Sequence, residues 1–213
     1  MKEEAPAKNL FMMCGRVQPS AFTELPEGYS FRLCRKGELE TWMALQADSP
    51  AQMEECRPVL EEYYEKVYAP KGDKFYSKCL FACDGNGTPV GTCFAWNSYD
   101  TFTAIHWFKV AKGREGKGIG RAILSRVLEE LTEKDYPVFL HTHPTSCRAI
   151  KLYSDFGFEL LTDPVVGYRN NDLAECLPIL EKTMPREAFA KLETASAPDY
   201  FLKAAASSIM EEF

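Results

Sequence analysis

The stretch Phe108-Lys109-Val110-Ala111-Lys112-Gly113-Arg114-Glu115-Gly116-Lys117-Gly118-Ile119-Gly120-Arg121 joins an apolar run to an amphipathic one through closely spaced glycines. Upstream, Phe102 to Lys112 carries Ile105, Trp107 and Phe108 and predicts a strand. Downstream, Ile119, Ile123, Leu124, Val127, Leu128 and Leu131 recur at helical spacing and predict a helix from Ile119 to Glu133. A strand, a glycine turn and a helix make a phosphate cradle. Glycine lets the backbone approach a ligand closely, and the helix start adds free amide donors and the positive end of its dipole. The donors would come from Gly116, Gly118, Ile119, Gly120 and Arg121, with Lys117 and Arg121 adding charge.

Two nucleotide patterns fail on this stretch. A dinucleotide fingerprint counted from Gly116 needs a third glycine where Arg121 stands. A Walker motif needs Ser or Thr after its lysine, and Lys117 is followed by Gly118.

Working outward, Tyr29 to Leu33 alternates and predicts a strand, and Lys36 to Asp48 predicts a helix. Ser49-Pro50 supplies a cap and a first-turn proline for a second helix running to about Tyr68. A hairpin follows, with Ser77 to Asp84 and Thr88 to Asn97 as strands around Gly85-Asn86-Gly87. Beyond the glycine-rich turn, Val138 to His141 predicts a short strand and Ser146 to Asp155 a helix, and Phe156 to Leu160 leads into a last clear strand. Beyond about Asn171 the pattern is helical, with breaks expected at Pro178, Pro185 and Pro198, and residues 196–213 read as a docked helix or a loose tail.

Val110 to Phe158 resembles the GNAT N-acetyltransferase superfamily. That family's first signature, Q/R-x-x-G-x-G/A, is similar to Glu115-Gly116-Lys117-Gly118-Ile119-Gly120, with Glu115 in place of Gln or Arg. Its second, N-x-x-A-x-x-L-Y-x-x-x-G-F, is similar to Ser146 through Ala149, Leu152, Tyr153, Gly157 and Phe158, with Ser146 in place of Asn. The resemblance implies an α/β fold with a mixed, splayed central sheet flanked by helices. It sets a GNAT-like domain at 29–170, between an N-terminal extension over 1–28 and a C-terminal helical extension over 171–213.

Acetyl-coenzyme A is the implied co-substrate. On the resemblance, Phe108 and Val110 offer backbone groups to the pantetheine arm. Glu115, through its backbone amide, and Gly116, Lys117, Gly118, Ile119, Gly120 and Arg121 hold the pyrophosphate. Ser146 belongs to the same donor-binding set, and Tyr153 is the general acid that protonates the departing thiolate. The implied acceptor is an amine of a small molecule or a peptide. A non-catalytic acyl-coenzyme A sensor is the alternative.

Acetyl transfer to an amine needs a neutral nucleophile, and an alkylamine has a pKa of about 10, so a base must take its proton. Period-two alternation sets His106 on the face of Phe108 and Val110, either as that base or as a lining of the acceptor pocket. Asp100 and Tyr99 are further candidates. His141 and His143 share a face, but no third ligand stands nearby, so no metal site is expected and a role in lining the cleft is favoured.

Composition narrows the class. Net charge is −6, with 31 acidic against 25 basic residues, which speaks against a nucleic-acid partner. No apolar run reaches the roughly 18 residues of a membrane span. The acidic start Met1-Lys2-Glu3-Glu4 is unlike a secretory leader. The eight cysteines are therefore expected to be reduced, in a cytoplasmic protein. The flanking segments are suited to cover the acceptor site or to form a homodimer contact.

Overall fold

The strand leading into the glycine turn lies near the middle of an eight-stranded sheet. The computed structural model describes residues 8–207. In chain order the elements begin with β1 (Leu10–Cys14), β2 (Ser30–Leu33), α1 (Leu39–Leu45) and α2 (Pro50–Tyr63). A π-turn follows over Tyr64–Tyr68, then α3 (Lys74–Lys78), β3 (Leu80–Cys83), β4 (Pro89–Ser98) and β5 (Phe102–Val110). After the glycines come α4 (Ile119–Glu129), β6 (Val138–Thr142), α5 (Cys147–Asp155) and β7 (Glu159–Leu161). The chain continues through β8 (Val165–Val166), β9 (Arg169–Asn170), α6 (Leu173–Thr183), α7 (Arg186–Phe189), β10 (Thr194–Ala195) and α8 (Asp199–Ser207).

The sheet order is β10-β7-β1-β6-β5-β4-β3-β2, with β8 and β9 paired separately. β5 runs parallel to β6, and β10 parallel to β7. The other pairs of the sheet are antiparallel. This is the mixed, splayed sheet flanked by helices that the sequence predicts.

Each face of the sheet has its own core. α4 and α5 cover one face, where Ile123, Leu124, Val127, Ile150 and Tyr153 pack on Met12, Ile105, Leu140 and Leu160. The opposite face is covered by α1, α2, the π-turn and α3 over Phe81, Phe94 and Trp96. Next to these, α8 covers Phe11, Phe102 and Phe139. Phe201 of α8 stacks on Phe139 with centroids 3.8 Å apart. Burying one such ring contributes about 1.5–3 kcal/mol, enough to dock this short helix.

Both flanking segments give strands to the sheet. β1 lies between β6 and β7, with Leu10, Met12 and Cys14 fully buried. β10 adds the last strand beyond β7.

Local structure departs from the sequence pattern at three places. Ser77 lies in the last turn of a helix rather than opening a strand, because its amide bonds to Asp73 O and its hydroxyl to Lys74 O. Pro178 sits inside α6 instead of breaking it, on an exposed side of the helix together with Ala174. The expected second helix widens into the π-turn after Tyr63. Its start is as read, with Ser49 Oγ accepting from Gln52 N at 3.2 Å. No helix among the described residues is long and apolar enough to cross a membrane.

Candidate active site

β5 carries a bulge at the point where the site forms. Thr92 pairs with Lys109 but Phe94 pairs with His106, so Cys93 alone faces Trp107 and Phe108. Trp107 takes up the extra residue with a φ of 51°. A left-handed, non-glycine conformation costs about 1–2 kcal/mol. Contacts offset it. Trp107 Nε1 donates to Tyr68 Oη at 2.8 Å, and its ring meets Trp42 and Tyr63 edge-on at 5.4 and 5.3 Å.

The bulge resets the alternation. His106 and Trp107 both turn towards the aromatic core under α1 and α2. Phe108 and Val110 turn to the α4 side with Ile105. The expectation that His106 shares a face with Phe108 and Val110 is therefore corrected. Period two holds only while each residue has one partner across the ladder, and the inserted residue breaks that count.

β5 and β6 also part here. Their parallel pairing covers only Thr103 with Val138 and Ala104 with Phe139, although β5 continues to Val110 and β6 to Thr142. The parting leaves the β6-facing backbone edge of β5, from His106 onward, outside that ladder.

The glycine turn closes the end of this opening. Gly116 and Gly118 have φ of 75° and 83°, values a side chain would oppose, and Gly118 caps α4. The first helical bond of α4 runs from Ala122 N to Gly118 O at 3.0 Å, so the amides from Gly118 to Arg121 precede it. A Cβ on Gly120 would lie 3.1 Å from Phe108 Cζ and 3.4 Å from Val110 Cγ2. Glycine there lets α4 press onto β5, so the first turn of the helix reaches the parted strand.

Side-chain charge is distributed differently from the sequence reading. Glu115 Oε2 accepts from Gly113 N at 2.9 Å, which folds its carboxylate onto its own loop. Arg121, expected to add charge for phosphate, is ion-paired with Asp155 and donates to Ala21 O at 3.3 Å. Asp155 also accepts from Lys151 at 2.9 Å. Partial burial opposes ionisation of Asp155, but the Lys151 and Arg121 bonds outweigh it and hold its pKa below the ordinary carboxylate value. Lys117 remains exposed on the turn. A cavity of about 640 Å³ opens beside Arg121, lined by Gln18, Ser154, Asp155, Phe158 and Lys191 among others.

Tyr153 lies on the same face as Phe108. Its ring centroid is 5.7 Å from those of Phe108 and of Phe158. Burial, with a small addition from Cys93, pushes its pKa well above the usual tyrosine value. Ser146 precedes α5, half-buried, with its amide bonded to His143 O at 2.9 Å and no capping bond from its hydroxyl.

His106 sits across the sheet from Tyr153, buried in a hydrogen-bonded chain. Tyr68 Oη lies 2.6 Å from its Nδ1, and Ser98 Oγ lies 3.2 Å from its Nε2. Burial keeps Tyr68 protonated by raising its pKa far above normal. With the Trp107 N–H already given to Tyr68 Oη, a Tyr68 proton directed at Nδ1 leaves Nε2–H to donate to Ser98. Tyr63 packs on Tyr68 at 5.5 Å, because the π-turn brings residues five apart onto one side. Tyr63, Tyr68 and Trp42 were not legible as site residues, since aromatic spacing of five matches no helical period.

His141 and His143 come together with centroids 4.8 Å apart, but not as free ligands. Arg169 Nη1 donates to His141 Nδ1 at 3.1 Å, so Nε2 carries the hydrogen and donates to Asn9 Oδ1 at 3.0 Å. Burial, then Arg169, then His143, push the His141 pKa down to about 3. His143 Nδ1 donates to Lys8 O at 2.9 Å. Asp100, with Tyr99 beside it in a left-handed turn, is salt-bridged to Lys71 at 2.7 Å.

The mixed sheet thus parts between two parallel strands, with a glycine turn and a helix start at the parting. Residues 39–158 match the model of the acetyltransferase (GNAT) family, over half of the chain, and the chain belongs to that family. No curated protein is similar enough to the chain to count as a relative. Among solved structures, it is similar to a tandem GNAT protein from the clavulanic acid biosynthesis pathway, with a TM-score of 0.54 and 15% identity over 73% of this chain and 51% of that one. It is also similar to a GNAT-family acetyltransferase from Colwellia psychrerythraea, with a TM-score of 0.51 and 15% identity over 72% of this chain and 53% of that one. At these identities the likeness is one of fold. The chain spans about half the length of those structures.

Proposed function

We propose that this chain is an acetyl-coenzyme A-dependent N-acetyltransferase acting on an amine of a small molecule or peptide. One observation carries the reading. The amides from Gly118 to Arg121, the open edge of β5 and the largely buried Tyr153 side chain belong to one side of the parted strands. The pyrophosphate of the donor is held by amides of the turn, from Gly116 to Arg121. Lys117 supplies the side-chain charge that Arg121, bound to Asp155, does not. The pantetheine arm pairs with the backbone of Phe108 and Val110, and Ser146 lies at the start of α5 on its path.

The chemistry follows from the pKa of Tyr153. A neutral amine attacks the thioester carbonyl, the carbon–sulfur bond breaks, and the sulfur leaves with the electron pair. Tyr153 Oη, protonated through the neutral range, delivers a proton to that sulfur. The amine loses a proton in the same exchange. His106 takes it only through a hydroxyl, because both of its ring nitrogens are already engaged. In this reading His106 is a positioning group at the end of a Tyr68 relay, not a base in contact with substrate.

The same engagement favours a second reading, an acyl-coenzyme A sensor without turnover. Calorimetry with acetyl-coenzyme A and thiol release across an amine panel separate them. Binding with amine-dependent thiol release supports the enzyme, binding without it supports the sensor, and no binding at millimolar donor sinks both.

A further inference from the structure

The bulge in β5 and the π-turn after α2 meet at one ring contact. Trp107, re-aimed by the bulge, lies 5.3 Å from Tyr63, centroid to centroid, with the ring planes at 83°. Bulges and π-turns both gather beside functional sites, where they redirect a side chain. The rings around this pair, Trp42, Tyr68, Phe75 and Phe94, are buried, whereas Trp107 and Tyr63 are half-buried. Apolar surface continues from them along α2. Cys56, Val59 and Tyr63 follow one another at spacings of three and four residues and so share one side of the helix, with Val59 63% exposed.

The pair stands where an acceptor has to arrive. In the acetyl-transfer reading the pantetheine arm runs from the glycine turn back along Val110 and Phe108, so its thioester end comes to Trp107. Tyr153 and Phe108 lie on the α4 side of the sheet, and Trp107 on the α1–α2 side. The acid and the incoming amine thus reach the thioester from opposite faces. Charge on the acceptor's side is already matched. Lys109 follows Trp107 on this face and is ion-paired at 2.8 Å with Asp48, which lies beyond the end of α1. That carboxylate is therefore occupied, and a second ammonium on an acceptor would meet Lys109 instead.

We propose that the acceptor is an amine joined to an aromatic ring by a short alkyl chain, with the ring held against Trp107, Tyr63 and the apolar stripe of α2 beside them. The inference rests on the acetyl-transfer reading and narrows its acceptor. A flat ring gains edge-to-face contact with the two side chains in addition to burial, which an alkyl group of the same area does not. A diamine gains neither and brings an unmatched charge to Lys109.

Phenethylamine, butylamine and diaminobutane are compared on the full chain. Binding is read first, with coenzyme A present so that no acetyl group can move, from the Trp107 indole resonance, which Trp107→Phe identifies. A saturable Trp107 shift is expected with phenethylamine below about 10 mM, with a dissociation constant at least about tenfold lower than for the other two amines. Turnover is then read as thiol release from acetyl-coenzyme A, and the same order is expected in kcat/KM. Tyr63→Leu is expected to raise the phenethylamine constant at least about fivefold, and Tyr63→Phe, which keeps the ring, to leave it within about twofold. Amide dispersion reports intact folding in both. Ring-selective binding without thiol release from any amine sinks the transfer reading and keeps the aromatic site. Thiol release that is equal for the three amines, or faster with diaminobutane, keeps the transfer reading and overturns the proposal. A Trp107 resonance that no amine moves overturns it too, as does wild-type affinity in a folded Tyr63→Leu variant.

Discussion

The Tyr153 ring packs 5.7 Å from that of Phe108, centroid to centroid, and so ties α5 to the strand that parts from its neighbour. Phe108 is in turn the residue that a Cβ on Gly120 would press, at 3.1 Å. The general-acid candidate, the open strand edge and the helix start are thus held by one short series of contacts. Tyr153→Phe keeps the ring and removes only the hydroxyl. Turnover is expected to fall about 100-fold, the low end for losing a positioned acid. Affinity for acetyl-coenzyme A is expected to stay within about twofold, because the ring contacts persist. Thiol release gives the first and calorimetry the second. A wild-type rate would remove Tyr153 from the mechanism.

Much of this was legible in the sequence. Glycines between an apolar strand and an amphipathic helix have few other uses, and the Tyr153 segment follows at the spacing of one helix and one strand. The face of His106 was legible only in part. Apolar alternation changes phase where Trp107 and Phe108 stand side by side between Ile105 and Val110, but the letters do not mark Trp107 as the residue that takes up a bulge. The stabilising partners of that bulge, Tyr63, Tyr68 and Trp42, come from elements well before it in the chain. The role of Arg121 was lost in the same way, because its partner Asp155 sits on the next helix. Local patterns report local structure, and these two errors concern contacts between distant segments.

The Tyr68–His106 pair gives a second test. Tyr68→Phe takes the hydroxyl away from Trp107 Nε1–H and from His106 Nδ1 in a buried place. The expected stability loss is about 2 kcal/mol, from the cost of unmet buried groups. His106→Gln retains a donor and an acceptor and tests the relay more directly. Its maximal turnover is expected to fall at least about tenfold while the donor KM holds, with the pH profile of turnover altered in shape. An unchanged pH profile would reduce the pair to a structural role.

His141 makes stability depend on pH. Its folded pKa of about 3 lies below its ordinary value because burial and Arg169 disfavour the cation. The unfolded chain binds the extra proton first, near pH 6.5, so stability is present above that value and is lost as pH falls towards 3. At pH 5 the loss from this one group is about 2 kcal/mol. Denaturant unfolding of wild type and His141→Gln at pH 7 and pH 5 isolates it. The variant is expected to be less stable than wild type at pH 7, with the gap narrowing by about 2 kcal/mol at pH 5. A gap independent of pH would mean that His141 is protonated in the folded chain.

The family match begins at residue 39, yet the sheet needs a strand from well before it. β1 supplies partners to both β6 and β7, from Leu10 opposite Thr142 to Cys14 opposite Val138, and from Met12 opposite Leu160. Without it, β6 and β7 each present an unpaired edge and the face under α4 and α5 loses the buried Leu10, Met12 and Cys14. Replacing one such side chain by alanine costs about 2–5 kcal/mol, and a domain has only about 5–15 kcal/mol to lose. A fragment of residues 39–158, though it contains the glycine turn and Tyr153, is therefore expected not to fold alone. Circular dichroism and amide resonances would report a chain without fixed packing. Adding a synthetic peptide of residues 8–18 to a truncated chain that starts at residue 19 and runs to the end is expected to restore dispersion, because the slot between β6 and β7 is a ready template for strand addition. A well-folded 39–158 fragment that binds acetyl-coenzyme A with wild-type affinity would show that the site forms without β1, β2 and β7, and that the N-terminal strand is an accessory to the site rather than part of its frame.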